Sequence, residues 1–221
     1  MMNRLQTELR RLYGAGQDEP GTGAGRALLL EMEGPGAWAE LARVWQGVQA
    51  DLQLPAPAIA VSGGDAYQLW FSVAEPLAAA DGAAFLEALR QRYLAEVPSG
   101  RVRLDPPGRA LPPAEAAPGR WSAFVSPDLA ALFADETWLD LPPSPDAQAD
   151  LLSRLQAMAP ADMRSALQPP PAPAPAAAAA PALRHADPRR FLLEVMNDDS
   201  VALALRIEAA KALLPHAGGS P

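Results

Sequence analysis

The run from Arg26 to Glu33, RALLLEME, sets two carboxylates into an apolar strand at alternate positions, Glu31 and Glu33. Alternate residues of a strand project to the same face. The segment therefore has to become a strand that shows two acids side by side on one sheet face. About thirty residues later, Ser62-Gly63-Gly64 turns the chain into a second strand that carries Gln68. Any fold for this chain has to accommodate that polar face, and its use decides what the protein does.

The surrounding periodicities give an ordered series. Residues 2–13 predict a short helix with Leu5, Leu9 and Leu12 on one stripe, followed by a glycine-rich loop over 14–25. Ala27–Glu33 is a strand closed by Gly34-Pro35-Gly36. Trp38, Leu41, Trp45, Val48 and Leu52 then recur at helical spacing, and Pro55 and Pro57 end that helix. Ala58–Ser62 reads as a strand. Tyr67–Val73 reads as another, with Tyr67, Leu69, Phe71 and Val73 alternating against Gln68, Trp70 and Ser72. Asp81 is placed to cap a helix running to about Glu96, and Arg101–Asp105 returns as a strand. Strand, helix, strand, strand, helix, strand is the order of a ferredoxin/RRM-like βαββαβ core, in which the first and third strands form the central pair.

The fold class expected is thus α+β, with this core at 26–105 and a mixed extension to 167. In the extension, Trp121–Val125 reads as a strand, Asp128–Ala134 as a short helix, Trp138–Leu141 as extended chain and Asp146–Met158 as a helix. A Pro/Ala linker at 168–183 and a helical hairpin at 184–217 complete the chain. Asp187-Pro188 starts the first helix of that hairpin.

Composition narrows the function. The net charge is -8, and of 18 basic residues only Lys211 is lysine, so the overall field does not steer the chain to nucleic acid. Absence of cysteine excludes disulfides, thiolate zinc sites and cysteine nucleophiles. His185 and His216 stand alone without further ligands. No run has the roughly twenty apolar residues of a membrane span. The charged, amphipathic start MMNRLQTELRRLYG has no apolar signal core. These features predict a cytoplasmic, membrane-free bacterial protein.

The acidic strand LLLEMEG (Leu28–Gly34), the turn-strand SGGDAYQLWF (Ser62–Phe71) and the following Ala74-Glu75-Pro76 together resemble the archaeo-eukaryotic primase (primase-polymerase) superfamily. The resemblance covers about residues 26–105. In that family a strand ending in Asp-x-Asp holds metal, a Ser/Gly turn leads to a histidine strand that contacts nucleotide, and a third carboxylate follows. Carried over, it implies Glu31, Glu33 and Asp105 as catalytic acids, Glu31 and Glu33 as ligands for Mg²⁺ or Mn²⁺, and Ser62, Gly63, Gly64 and Gln68 as nucleotide contacts. The departures bear on chemistry. Each glutamate reaches one methylene further than aspartate, which displaces ions that must sit roughly 3.5–4 Å apart in near-octahedral geometry. Gln68 lacks the charge of a histidine.

Three readings of the acids follow: solvated residues on an open sheet face, metal ligands, or remnants of a lost site that now meet a partner. Ser62–Asp65 is a hairpin turn or a nucleotide loop, and Asp105 a turn residue or the third acid. Trp70 shares the face of Gln68, where it is a base-stacking platform of RRM type or a residue covered by a flanking helix. Acids on the neighbouring strand repel phosphate and disfavour the platform. The tail Phe191–Ala217 resembles, over a short Ala/Leu-rich stretch, phage terminase small-subunit-like proteins. The leading expectation is a divergent, catalytically inactive primase-polymerase-like module of DNA replication or mobile-element biology. It would be linked to single-stranded or primed DNA, or to a protein partner through the C-terminal hairpin. The alternatives are an active metal-dependent nucleotidyltransferase and a non-enzymatic adaptor.

Overall fold

The computed structural model describes residues 3–14, 24–105 and 110–167, together with 192, 193, 195, 196, 206, 207, 210 and 211. The chain divides into two units, Met1–Pro170 and Pro171–Pro221. In the second, the described residues are helical, and the Arg206 guanidinium donates to the Met196 carbonyl at 3.1 Å. Most of the glycine-rich loop (15–23), the Pro/Ala linker, both histidines, the Asp187 cap and most of the C-terminal hairpin lie outside the described residues.

The first unit is α+β, with six helices and a five-stranded antiparallel sheet among the described residues. Helix α1 (Arg4–Tyr13) leads into β1 (Ala24–Glu33), α2 (Ala37–Ala50), β2 (Ala58–Val61), β3 (Ala66–Ala78), α3 (Ala79–Tyr93) and β4 (Val102–Leu104). Strands β5 (Glu115–Ala117) and β6 (Arg120–Trp121) form a separate hairpin. They are followed by β7 (Ala123–Val125), α4 (Pro127–Ala130), α5 (Pro145–Ser153) and α6 (Pro160–Leu167). The main sheet runs β4-β1-β3-β2-β7. No helix among the described residues is long and apolar enough to cross a membrane.

Strict alternation sorts the sheet into two faces. Leu28, Leu30 and Met32 of β1 join Ile59 and Val61 of β2 and Tyr67, Leu69, Phe71 and Val73 of β3 on one side. There they pack against Leu41, Val44 and Val48 of α2 and Phe85, Leu86 and Leu89 of α3. Leu29, Ala58, Ala60, Trp70 and Phe124 face the opposite way, and that face is also buried.

Its cover comes from the chain's N-terminus. Asn3 opens α1 with a capping box, its Oδ1 accepting from Gln6 N at 2.8 Å while Gln6 Oε1 accepts from Asn3 N at 3.1 Å. Gly14, at φ 66, closes it in the left-handed conformation. Between these caps the leucine stripe delivers Leu5 and Leu12 to the sheet, and Tyr13 sets its ring against Trp70 and Phe124. Helix α5 completes the layer with Ala149 and Leu152, and Arg11 of α1 donates to the Leu152 and Leu155 carbonyls at 2.9 and 3.0 Å.

Several boundaries differ from the sequence reading. Position Ala78 precedes α3 without a side-chain cap, and Asp81 lies inside the first turn, where an acid suits the helix dipole. Strand β3 continues past Pro76 because it stays paired to β1 as far as Ala78. Trp121–Val125 is split at Ser122, whose hydroxyl bonds Ala114, so that β6 and β7 serve different sheets. Helix α5 stops at Ser153, and Met158 instead lies beside β3, its N–H donating to Ser72 O at 2.8 Å. Arg101 sits in a 3-10 turn before β4, and β5 and α6 have no counterpart in the reading.

Candidate functional site

Register brings the polar residues into one row. Glu31 of β1 lies opposite Gln68 of β3 on one side and Arg103 of β4 on the other. Because side chains directly opposite in antiparallel strands stand on the same face, all three point to the side covered by α1 and α5.

The row is a continuous chain of contacts. Trp70 Nε1 donates to Gln68 Oε1 at 2.9 Å, and Gln68 Nε2 donates to Glu31 Oε2 at 2.7 Å. Arg103 approaches Glu31 Oε1 at 3.5 Å and Glu33 Oε1 at 2.8 Å, so one guanidinium serves both acids. Glu31 has no exposed surface, Gln68 is 2% exposed and Trp70 4%. The direction of each donor is thereby fixed: the indole can only donate, so Gln68 presents its oxygen to Trp70 and its amide nitrogen to Glu31.

This corrects the open-face reading. Glu31 is buried, and only Glu33, whose side chain is one-third exposed, reaches solvent. Trp70 lies under the Tyr13 ring and cannot stack a base. Arg103 was not singled out from the sequence, although Val102 and Leu104 alternate with it. An arginine on a three-residue strand reads like any solvated charge until its opposite neighbour is known.

Asp105 lies one residue beyond β4 in the left-handed region, φ 46, exposed, its N–H donating to Leu29 O at 2.7 Å. It does not join the glutamates: among the described residues no three of His, Cys, Asp and Glu come together as a metal-holding group. The donor set also fits an ion poorly. One oxygen of Glu31 is spent on an amide, and both acids already face a cation, Arg103.

The Ser62-Gly63-Gly64 turn is likewise satisfied from within. Ser62 Oγ accepts from Gly64 N and Ala66 N at 3.1 Å each, and Gly63 N donates to Thr137 O at 2.9 Å. Thr137 Oγ1 returns a bond to Gly64 O. Gly63 is required as glycine, since at φ 79 an added Cβ would stand 2.7 Å from Ala116 Cβ and 2.9 Å from Ser122 N. The amides that would cradle a phosphate thus bind the chain itself. No protein-family model matches this sequence, and no curated protein matches it.

Proposed function

We propose that the chain is a divergent primase-polymerase-like scaffold that does not transfer nucleotides and acts as a binding module. Supporting the scaffold, the order β4-β1-β3-β2 with α2 and α3 on one face agrees with a ferredoxin/RRM-like unit, and the acidic strand is central in it. The observation that carries the loss of catalysis is the buried, continuous Trp70–Gln68–Glu31–Arg103–Glu33 chain. Opening this network for a metal would strand the buried Gln68 amide and set the ion beside the Arg103 guanidinium. The sheet face on which an RRM-type domain reads nucleic acid is occupied by α1 and α5. Binding by this module therefore runs through other surfaces, in the replication or mobile-element setting that the resemblance implies.

The test is a melting experiment with millimolar Mg²⁺ or Mn²⁺ and a nucleoside triphosphate, paired with titration of primed and single-stranded DNA at low salt. No metal-dependent rise in Tm and no DNA binding is expected. A rise that Glu31→Gln abolishes would place a metal–nucleotide site at this acid and overturn the structural reading. DNA affinity that falls steeply with salt would return nucleic acid to the reading.

A further inference from the structure

The segment from Pro127 to Phe133, α4 and the 3-10 turn after it, has two unlike faces. Ala130 has no exposed surface and its carbonyl accepts the Tyr67 hydroxyl at 2.7 Å, while Phe133 packs against the core. With those residues held inward, Leu129 and Leu132 stand outward, 51% and 77% exposed. Single exposed leucines are ordinary. Leu129 follows directly on Pro127 and Asp128, which line a groove of about 210 Å³, and Leu132 comes one turn later in the same segment.

The groove has a clear origin. Pairing of β2 with β7 ends at Ile59 and Val125, and Pro57 and Pro127 lie just beyond. Proline has no N–H to extend the ladder. Since α2 and α5 lie on opposite faces of the sheet, the slot at its edge stays open between them. Its walls include Trp45, Pro57, Leu151 and Leu155, with Asp128 and Arg154 among the lining residues. Sites for drug-sized ligands measure about 300–1,000 Å³, so this groove suits an anchoring side chain rather than a nucleotide. Neither Asp128 nor Arg154 has an ion-pair partner among the described residues.

We propose that this corner is a two-fold contact between two copies of the chain. Leu132 of each copy, with Leu129 beside it, seats in the groove of the other, and Asp128 of each faces Arg154 of its partner. The patch is self-complementary: it joins projection, hollow and both charge signs, as an isologous interface requires. Here the start of the same short segment, Pro127 and Asp128, lines the hollow, and its end carries the projection. A dimer at this corner depends on neither a primase-like ancestry nor the polar row, so its absence would leave the proposed function standing.

Sedimentation equilibrium of the full chain tests it, in about 0.15 M salt so that repulsion between copies of charge -8 is screened beyond about 8 Å. A reversible dimer is expected. Leu132→Glu should raise its Kd by about tenfold or more without changing the Tm measured at concentrations where the chain is monomeric, since the side chain is exposed on the single copy. Asp128→Arg should weaken the dimer, and adding Arg154→Asp should restore it to within about threefold. A chain that stays monomeric up to about 1 mM overturns the proposal. So does a dimer that Leu132→Glu leaves intact, or a charge swap that fails to recover.

Discussion

Replacing Glu31 by leucine and, separately, by glutamine measures what the buried carboxylate does. In Glu31→Gln the length and one acceptor oxygen are retained, so the Gln68 amide keeps its partner. What is lost is charge: the 2.7 Å bond becomes a neutral one, and the 3.5 Å approach of a guanidinium that is 46% exposed disappears. The first change is worth about 1 kcal/mol and the second, discounted for exposure, about 0.2–1 kcal/mol. In Glu31→Leu no acceptor remains, and the Gln68 Nε2 donor is stranded inside the sheet layer. A buried donor without a partner costs about 1–3 kcal/mol, added to the lost bond and partly offset by apolar burial, giving about 2–4 kcal/mol. For a unit of this size each kcal/mol moves Tm by about 2–4 °C, so glutamine should lower it by a few degrees and leucine clearly further. Urea unfolding should place the two variants in the same order with an unchanged m-value. Adding Gln68→Leu to Glu31→Leu should lower stability by about 1–2 kcal/mol less than the sum of the single effects, because the stranded donor goes with it. If Glu31→Leu is as stable as the unmodified chain or more so, the reasoning fails. That outcome is the behaviour of an acid held in place for chemistry at the expense of stability.

Three further outcomes follow from the packing. The Tyr13 hydroxyl is buried without a hydrogen-bond partner, so Tyr13→Phe should keep the ring contacts and raise stability by about 1 kcal/mol, read as a Tm increase. Gly47→Ala in α2, which helix propensity favours by about 1 kcal/mol, should instead destabilise by about 1–3 kcal/mol, because the added methyl runs into the Tyr93 ring. All three tyrosines are shifted upward: burial and then Asp135 push Tyr67 up to about 12, burial and the Asp51 hydrogen bond push Tyr93 up to about 12, and burial raises Tyr13 further. The folded protein then holds its phenolic protons where the unfolded chain, titrating near 10, has lost them. Stability should be intact below pH 10 and fall as pH rises from about 10 to about 12. Phenolate absorbance appearing at an ordinary midpoint while circular dichroism stays native would contradict this.

The parts of the fold written in short-range pattern were legible. Alternation in Ala27–Glu33 and Tyr67–Val73 gave both central strands, and their pairing sets Glu31 opposite Gln68. The leucines at 5, 9 and 12 gave α1 its buried stripe. What they bury against was not legible, because that depends on a contact between the chain's start and a sheet formed many residues later. Gln68 and Ser72 interrupt an apolar strand in the same way whether water or a side chain satisfies them. The second face therefore read as open when it is covered. The end of α5 was misplaced for a related reason: Leu155 and Met158 continue a helical spacing, yet one packs beneath α1 and the other lies beside β3.

A sheet buried on both faces can meet a partner only at its edges or through the side chains of its cover, and the β7 edge is closed. Gln148 of α5 accepts from Phe124 N at 2.8 Å and donates to Phe124 O at 3.0 Å, so a side-chain amide takes the place of a neighbouring strand. That arrangement blocks strand addition at this edge and leaves side chains as the means of contact there. The outward leucines of Pro127–Phe133 follow directly after β7 in the chain. The same local design thus closes the backbone edge to new strands at Phe124 and is followed in the chain by two outward leucines, which is why the proposed contact between copies uses side chains rather than strand addition.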